Sequence, residues 1–318
     1  MTSLGTEVEE KGRAKSLRSI IISLAFTCFV FICAVFLSDE LALYVASGLT
    51  LAVKIIIPAV FPFLLLTDFS MRFIRFEKIG IFKKIFERLF NINGCALPVF
   101  ICGLMCGFPV GAKLALALYE NQKISRDECE RLMAFANNAS PGYVICAVGL
   151  GMRASAGDGV VLYASMAISS ILCGMLFGLK KRKTDLSNEI SWQKYSFVDS
   201  TKESAIVCFN IAGFVTVFSM IAGLIQKAVS NEYFFAIIIS LLEIGNAGIY
   251  LSDLCILSSE ITLILTSFSI SFSGLCVAAQ VISLSDSRVR MPLKKYVFAK
   301  LVQGIISAII TSIFCLIK

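Results

Sequence analysis

The sequence predicts an all-α polytopic membrane protein, built as an inverted repeat of transmembrane helices with two re-entrant helical hairpins. The first observation is composition: 57% of the 318 residues are hydrophobic and only 16% are charged, far from an average soluble domain. The second is a pair of interrupted apolar runs, at residues 104–113 and 241–248, where Gly, Pro or Asn stand beside a charged side chain. A broken helix is tolerated in a bilayer only where it is buried or lines a watered cavity.

The composition also narrows the classes of function. The chain has no histidine and therefore lacks the commonest general base and metal ligand. Its 12 cysteines form no Cys-x-x-Cys pair and are expected to pack as small apolar side chains. We therefore expect no enzyme activity, no catalytic residues, no cofactor and no metal site. The net charge of +7 is spread over the flanks of apolar runs, which indicates membrane orientation and lipid contact and not nucleic-acid binding.

Basic residues before the first apolar run orient the chain. Residues 1–18 form a basic tail, which the positive-inside rule places in the cytoplasm, and residues 19–38 form a retained first transmembrane helix. Residues 41–54 are expected to lie at the outer surface or to enter obliquely, because a lysine and two prolines divide this long run. Residues 55–74 then cross inward. A basic inner loop follows, in which residues 75–90 have the apolar spacing of an interfacial amphipathic helix.

The charge pattern favours a first re-entrant hairpin. Three apolar segments lie between the basic inner loop and the basic cluster at residues 180–183: 94–119, 132–152 and 158–179. If both basic clusters are cytoplasmic, an even number of segments must cross the membrane, so one of the three enters and returns on the same side. The first segment contains the helix-breaking residues Gly107 to Gly111. We therefore predict that this segment is a hairpin folded at these residues.

The second half repeats this order upside down, after a cytoplasmic linker at residues 180–200. It is predicted to contain a crossing, a hairpin and two further crossings: residues 201–227, 233–255, 261–283 and 296–317. The first crossing starts from a capping box at Ser200–Glu203, the hairpin turns near Gly245–Gly248, and the next crossing has a weak point at residues 271–274. Residues 41–179 thus form the first repeat and residues 201–318 the second. An ungapped pairing aligns Gly111 with Gly248, and the total is seven full crossings plus two hairpins.

The first predicted hairpin contributes four candidate substrate-binding residues: Gly107, Pro109, Gly111 and Lys113. The glycines allow close backbone approach, Pro109 suits the first turn of the returning helix, and that helix N-terminus directs free N–H groups at a bound solute. The segment lacks the G-x-x-x-x-G-K-[ST] spacing of a phosphate loop, which excludes an ATPase on this motif. Lys113 adds positive charge if it faces the cavity; alternatively, it extends to the inner membrane surface.

A second group of candidates lies where the next helix ends. Ser125–Glu128 is a capping box, and the helix that it begins runs into Asn137, Asn138 and Ser140. The two amides offer donors and acceptors together, as is needed to hold a neutral polar ligand such as a nucleobase or ribose. The alternative is that these residues only cap the helix ahead of a proline.

Glu243 is the most distinctive single candidate, because it is a carboxylate deep in an apolar run. Intramembrane carboxylates are rare and usually face a cavity, a cation or a partner charge. Glu243 could therefore couple to H⁺ or Na⁺, or bind a ligand hydroxyl; the alternative is a structural ion pair with Lys113 or Lys54. Asn246, in the predicted turn, and Gln280 complete the candidate set. For a single amide such as Gln280, a packing hydrogen bond between helices is the alternative.

Three stretches together resemble a known family: residues 106–113 (CGFPVGAK), 131–141 (RLMAFANNASP) and 272–280 (FSGLCVAAQ). They are similar to the YlbJ-type sporulation integral membrane proteins, within the wider nucleoside-recognition (Gate) domain group, and the resemblance covers roughly residues 40–310. This resemblance implies a fold related to concentrative nucleoside carriers. It also implies an endospore-forming bacterium and a role in making resistant spores.

These inferences predict a multi-pass protein of the inner cell membrane with a cytoplasmic N-terminus. The leading hypothesis is a sporulation protein that transports or gates a small polar solute by motion about its two broken-helix hairpins. The alternative is a non-transporting scaffold of a spore-envelope assembly complex, acting through the 180–200 linker and the 75–90 helix. Expected partners are the lipid bilayer, an unidentified small polar solute with H⁺ or Na⁺ as candidate coupling ions, and sporulation membrane proteins or a second copy of the chain. Nucleic acid is not an expected partner.

Overall fold

The structure is a computed structural model that describes residues 35, 37–70, 80–179, 181, 183, 197–284 and 293–317. The predicted basic tail, almost all of the predicted first transmembrane helix and most of the predicted linker lie outside these ranges. Met1–Ala46 and Ser47–Lys318 are two separate units. The described part of the first unit lies in one helix, and the site described below belongs to the second unit. Throughout the described ranges the regular elements are helices.

Two helices with a π-helical turn between them begin the described chain: α1 (Ser38–Leu51), the turn Ala52–Ile56 and α2 (Ile57–Ser70). Helical structure runs unbroken over Ser38–Leu66, and the position of residues 41–54 at the outer surface or on an oblique path stays a prediction. A proline removes one backbone donor, and a helix absorbs such a loss by a local change in winding. The π-helical turn lies beside the prolines, where Ile57 N–H donates to Ala52 O.

An amphipathic helix, α3 (Gly80–Phe90), follows and confirms the predicted helix over the described part of residues 75–90. Phe86 and Phe90 are buried, and the Phe90 ring stacks on Phe135 with a centroid distance of 4.9 Å. Other apolar side chains of α3 are exposed: Ile81, Phe82, Ile85 and Leu89. The chain then bends by 105° into the next helix.

The first predicted hairpin has its break where the sequence places it. α4 (Leu97–Cys106) and α5 (Val110–Glu120) are separated by residues 107–109. Both helices pack against the end of α6 (Arg126–Ala136). A Cβ added to Gly103 or Gly111 would lie only 1.6 Å or 2.1 Å from Ala136 O, so only glycine permits this approach. The re-entrant path of the hairpin through a membrane stays a prediction.

The segment 132–152, a predicted crossing, is broken where the Asn-Asn-Ala-Ser-Pro sequence stands. α6 begins with the predicted capping box, in which Ser125 and Glu128 bond reciprocally, but it ends at Ala136. Residues 137–140 are not helical, and the chain resumes as a π-helix, Gly142–Met152. The Asn-Asn-Ala-Ser-Pro sequence ends α6 because its amides and hydroxyl bond to nearby backbone and its proline disfavours helix at the preceding residue.

The remaining helices follow the predicted order, with two corrections of position. They are α7 (Ala156–Gly178), α8 (Phe197–Ala228), α9 (Glu232–Leu242), α10 (Ile244–Asp253), α11 (Ser259–Phe272), α12 (Gly274–Leu284) and α13 (Leu293–Ile317). Ser200 does not cap a helix, because it is buried inside α8, whose described part begins at Phe197. The second hairpin breaks at Glu243 and not at Gly245–Gly248, which lie inside α10. The predicted weak point is confirmed, since Ser273 has φ 76° between α11 and α12.

Among the described residues, five helical stretches are long and apolar enough to cross a membrane, or six if the bent pair of α3 and α4 counts as one span. They are Ser38–Leu66, α7, α8, α11 together with α12, and α13. The predicted total of seven crossings also includes residues 19–38, which lie almost entirely outside the described ranges, and residues 132–152, which are broken. The apolar π-helix is too short to cross by itself.

Candidate functional site

Four of the breaks between described helices meet around one cavity. Break one is residues 107–109, break two is residues 137–140, break three is Glu243 and break four is Ser273. Each break, or the helix directly after it, contributes to the wall: Gly107, Phe108, Ala139, Ser140, Tyr143, Glu243, Ile244, Cys276, Val277 and Gln280. The rest of the wall comes from the neighbouring helices: Ile56, Val60, Ile211 and Val215. The wall is therefore mostly apolar, with a few polar groups, as is usual for small-molecule sites.

Break one touches break two at the cavity wall. Gly107 has φ +87°, which glycine adopts without strain, and a Cβ there would lie 3.0 Å from Ser140 N. Ser140 also lines the wall, and its hydroxyl accepts a hydrogen bond from Tyr143 N at 3.2 Å. Pro109 and Gly111 shape the site from outside the wall. Pro109 follows a cis peptide bond and precedes α5, and Gly111 allows the contact with α6.

Lys113 is not brought to the cavity. Its Nζ lies 2.6 Å from Glu203 Oε2, and the two side chains are 45% and 46% exposed. Lys54 is exposed as well. Neither lysine is paired with Glu243, so the ion pair considered as the alternative role of Glu243 is not formed. Of the alternatives drawn from the sequence, the placement of Lys113 fits a lysine that extends to the surface.

The two asparagines of break two are buried behind the wall and not in it. Asn137 Nδ2 donates to Tyr296 Oη at 2.9 Å. Asn138 Nδ2 donates to Phe135 O at 2.7 Å and to Ser170 Oγ at 3.2 Å. Both Nδ2 groups are thus committed to the protein interior, whereas Asn137 Oδ1 is buried without a hydrogen-bond partner among the described residues. The two asparagines connect break two to α7 and α13 and do not present their Nδ2 donors to a ligand.

Lys300 is the residue of this region that the sequence reasoning missed. It lies in α13, is 1% exposed, and its Nζ donates to Asn137 O at 2.6 Å and to Gln303 Oε1 at 2.8 Å. Gln303 Nε2 in turn donates to Asn138 Oδ1 at 2.8 Å. The signal was present in the sequence, since Lys300 and Gln303 interrupt the apolar run 296–317 one helical turn apart.

Glu243 forms break three by capping α10 with its own side chain. Oε1 accepts from Gly245 N at 2.8 Å, and Oε2 accepts from Asn246 N at 2.7 Å and from Asn246 Nδ2 at 2.8 Å. Asn246 Nδ2 also donates to Ser219 Oγ of α8 at 2.7 Å. The carboxyl group is 1% exposed, and its two oxygens accept hydrogen bonds from the free N–H groups at the N-terminus of α10. Glu243 therefore borders the cavity as a satisfied cap.

Two buried polar groups at the cavity have no hydrogen-bond partner among the described residues: Tyr143 Oη and Gln280 Oε1. Tyr143 is 2% exposed and Gln280 is 4% exposed, and Gln280 Nε2 makes only a weak contact of 3.6 Å with Cys276 Sγ. A buried polar atom without a partner costs about 1–3 kcal/mol. A ligand that forms hydrogen bonds with these two atoms therefore gains the most binding free energy. Gln280 was a candidate from the sequence, whereas Tyr143 was not.

Ion pairs join several helices outside the apolar spans. Asp127, near the start of α6, accepts from Lys181 Nζ at 2.8 Å and from Arg131 Nε at 2.9 Å. Partial burial acts to raise the pKa of Asp127, but the hydrogen bonds and charges of these two partners outweigh it and hold the pKa below its ordinary value. Glu130 is likewise paired with Arg126 and Lys295. No group of three or more acidic, cysteine or histidine side chains arranged to hold a metal occurs among the described residues.

The fold and the cavity define a multi-pass helical membrane protein with an internal, mostly apolar pocket at its helix breaks. The chain is similar to the sporulation integral membrane protein YlbJ of Bacillus subtilis (strain 168), with 25% identity over 88% of this chain and 79% of that protein. This similarity confirms the resemblance to YlbJ-type proteins that three sequence motifs indicated. No protein-family profile matches the chain. No solved structure matches it either.

Proposed function

We propose that this chain is a sporulation protein of the inner cell membrane that moves or gates a small polar solute through the cavity at its helix breaks. The similarity to YlbJ supports the sporulation role, and the candidate spans support a multi-pass protein in the bilayer. The N-terminus is proposed to be cytoplasmic because of its basic residues. No catalytic step is assigned to the chain.

The observation that carries this proposal is the convergence of four helix breaks on one cavity with two unpartnered polar groups. Irregular backbone at membrane depth is tolerated where it is buried in protein or lines a cavity, and discontinuous helices at such a place are typical of transporters. A protein with only a structural role does not require helix breaks that converge on one cavity.

An inverted repeat with re-entrant hairpins is part of the same proposal, as is membership of the Gate group. Its support is the order of elements, which is similar in both halves except that α3 has no counterpart in the second. One helix (α2 or α8) precedes a broken hairpin (α4–α5 or α9–α10). A broken helix (α6 with the π-helix, or α11 with α12) and a long helix (α7 or α13) then follow. In such an arrangement, one repeat rocks against the other around a site at their interface.

The chemistry of the wall limits the solute to a small molecule with an apolar body and at least one hydrogen-bond donor. Gln280 Oε1 accepts such a donor, and Tyr143 Oη donates or accepts beside it. Glu243 is already bound by three donors and is proposed to position the start of α10 at the cavity. Asn137 and Asn138 are proposed to act behind the wall, through their bonds to α7 and α13.

The alternative function is a membrane scaffold that assembles with other spore-envelope proteins. It has one observation in its favour, the exposed apolar residues on the amphipathic helix α3: Ile81, Phe82, Ile85 and Leu89. This surface also suits the lipid interface. A scaffold gives no reason for unpartnered polar atoms at an internal cavity, and transport or gating is therefore the preferred proposal.

A thermal-shift screen of the purified chain in detergent tests the proposal. Nucleosides, nucleobases, amino acids, small carboxylates and simple cations are added singly, and the unfolding temperature is measured. A ligand at about 100 times its dissociation constant stabilises the fold by roughly 2.7 kcal/mol. We expect at least one organic compound to raise the unfolding temperature saturably.

The same screen with Tyr143→Phe, Gln280→Leu and Ser269→Ala localises the site. Ser269 is the matched control, because its hydroxyl is also buried without a partner among the described residues but does not line the cavity. A shift that is lost in the first two variants and kept in the third supports the proposal and justifies transport assays in vesicles. A shift kept in all three, or no shift from any compound, favours the scaffold.

A further inference from the structure

The buried amine of Lys300 is surrounded by oxygen atoms and by no acid. Its Nζ lies 2.6 Å from Asn137 O, 2.8 Å from Gln303 Oε1 and 3.5 Å from Asn138 Oδ1. No ion pair involving Lys300 is formed among the described residues, and the side chain is 1% exposed. A lysine is almost never buried to this degree without a charged partner. The arrangement therefore requires an explanation beyond ordinary packing.

The hydrogen-bond pattern fits the ammonium form of the amine. An ammonium has three N–H donors and no lone pair, and here it meets three oxygens. A neutral amine would have only two donors and would direct its lone pair toward the third oxygen. The Phe108 ring adds a further attraction for a cation, with its centroid 5.8 Å from Nζ.

The oxygens around Lys300 are of the kind that bind free monovalent cations. Asn137 O is a backbone carbonyl outside the regular helix, since α6 ends at Ala136, and the other two oxygens belong to amide side chains. Uncharged carbonyl oxygens replace the hydration shell of K⁺ and Na⁺ in channels and transporters, often at unwound helix segments. Break two thus provides a cation site, and the ammonium of Lys300 occupies it.

We infer that Lys300 is a tethered cation that fills a monovalent-cation site formed by Asn137, Asn138 and Gln303. The chain consequently binds no free Na⁺ at this site, because α13 supplies the positive charge through Lys300. Because Phe108 of break one lines the cavity wall and its ring faces Nζ, the ammonium also connects break one to break two. This inference does not depend on the proposed transport function, because its test measures cation binding and stability without any solute.

The test compares Lys300→Ala with Lys300→Met. The alanine variant removes the amine and leaves space beside the three oxygens, whereas the methionine variant removes the charge but fills the same space with an apolar chain. Each variant is expected to lower the unfolding temperature in detergent by about 5–10 °C, because buried oxygens lose their donor. The chlorides of ammonium, sodium and choline are then titrated at matched chloride concentration.

Ammonium or sodium is expected to restore at least half of the lost unfolding temperature in Lys300→Ala, saturably, and neither ion is expected to restore Lys300→Met. The wild type should respond equally to the sodium and choline salts. Equal recovery of both variants, equal recovery in choline chloride, or a saturable sodium-specific shift in the wild type would overturn the inference.

A second measurement covers the case in which Lys300→Ala does not fold. Gln303→Glu is made in the wild-type and in the Lys300→Met backgrounds, where it places a carboxylate beside Nζ or beside an apolar group. A tethered cation predicts a clearly smaller loss of unfolding temperature in the wild-type background, because only there is the buried carboxylate paired. Equal losses in the two backgrounds would contradict the assignment of a cation at this position.

Discussion

Replacement of the buried helix cap Glu243 is the most direct test of how the second hairpin is built. In Glu243→Ala, the backbone N–H groups of Gly245 and Asn246 lose the acceptors that now lie 2.8 Å and 2.7 Å away. Asn246 Nδ2 loses one of its two acceptors but keeps Ser219 Oγ. Because the cap is at a cavity inside the protein, water is not freely available to replace the carboxylate.

The expected loss of unfolding free energy follows from the two backbone N–H donors that lose their acceptors. Each buried donor without an acceptor costs about 1–3 kcal/mol, and removal of a buried carboxylate returns part of its own desolvation cost, so the net loss is about 2–4 kcal/mol. Asn231 provides a matched comparison, because it caps α9 through the same kind of bond, to Phe234 N at 3.0 Å, but is exposed. Asn231→Ala is expected to cost only about 1 kcal/mol.

The assay is reversible unfolding of the full chain in detergent by heat or denaturant, with Glu243→Asp as a third variant. Aspartate is a preferred helix cap and keeps the charge, so it should recover most of the stability lost in Glu243→Ala. If Glu243→Ala and Asn231→Ala lose the same free energy, or if Glu243→Ala is as stable as the wild type, the carboxylate is not a buried structural cap. The residue would then have to be explained by binding or proton transfer.

Two further predictions concern packing and pH. Gly111→Ala places a Cβ 2.1 Å from Ala136 O and should destabilise the chain by about 3 kcal/mol or more. Gly213→Ala is the control, because its new Cβ meets no neighbouring element within 4 Å, and it should be neutral or stabilise α8 by about 1 kcal/mol. Equal unfolding temperatures for both variants would refute this reasoning. The folded-state pKa of Asp127 is lowered despite its partial burial, so its stabilising contribution is present above its unfolded pKa of about 3.9 and is lost as pH falls through the folded-state pKa. Asp127→Asn should therefore flatten the acid limb of the curve of unfolding temperature against pH, and an unchanged acid limb would contradict the assignment.

Local signals in the sequence predicted helices and their breaks correctly wherever these depend on neighbouring residues. Hydrophobic length predicted the long helices α7, α8 and α13 within a few residues. The break at Gly107 and the weak point at Ser273 were also predicted correctly, because glycine, proline and serine change backbone preferences where they stand. The capping box at Ser125 is equally local, since both of its hydrogen bonds lie within four residues.

The same local signals were misleading at two places in the second half of the chain. Gly245 and Gly248 resembled a turn, yet both lie in α10, because the side chain of Glu243 starts that helix two residues earlier. Ser200 resembled a cap but is buried within α8. A prediction from residue type cannot separate these cases, since the competing conformations differ by about 1 kcal/mol and tertiary packing contributes more.

The sequence by itself determined the membrane class, the approximate helices and the positions of the interruptions, because these depend on hydrophobicity and backbone preference within a few residues. Only the tertiary structure decided which polar groups meet. Lys113 and Lys300 are both lysines in apolar surroundings, yet Lys113 pairs with Glu203 at the surface and Lys300 lies buried on the oxygens of break two. Likewise, Tyr143 lines the cavity only because four breaks that are far apart in the sequence come together around it. Such contacts depend on packing between segments far apart in the chain, and no local sequence pattern encodes them.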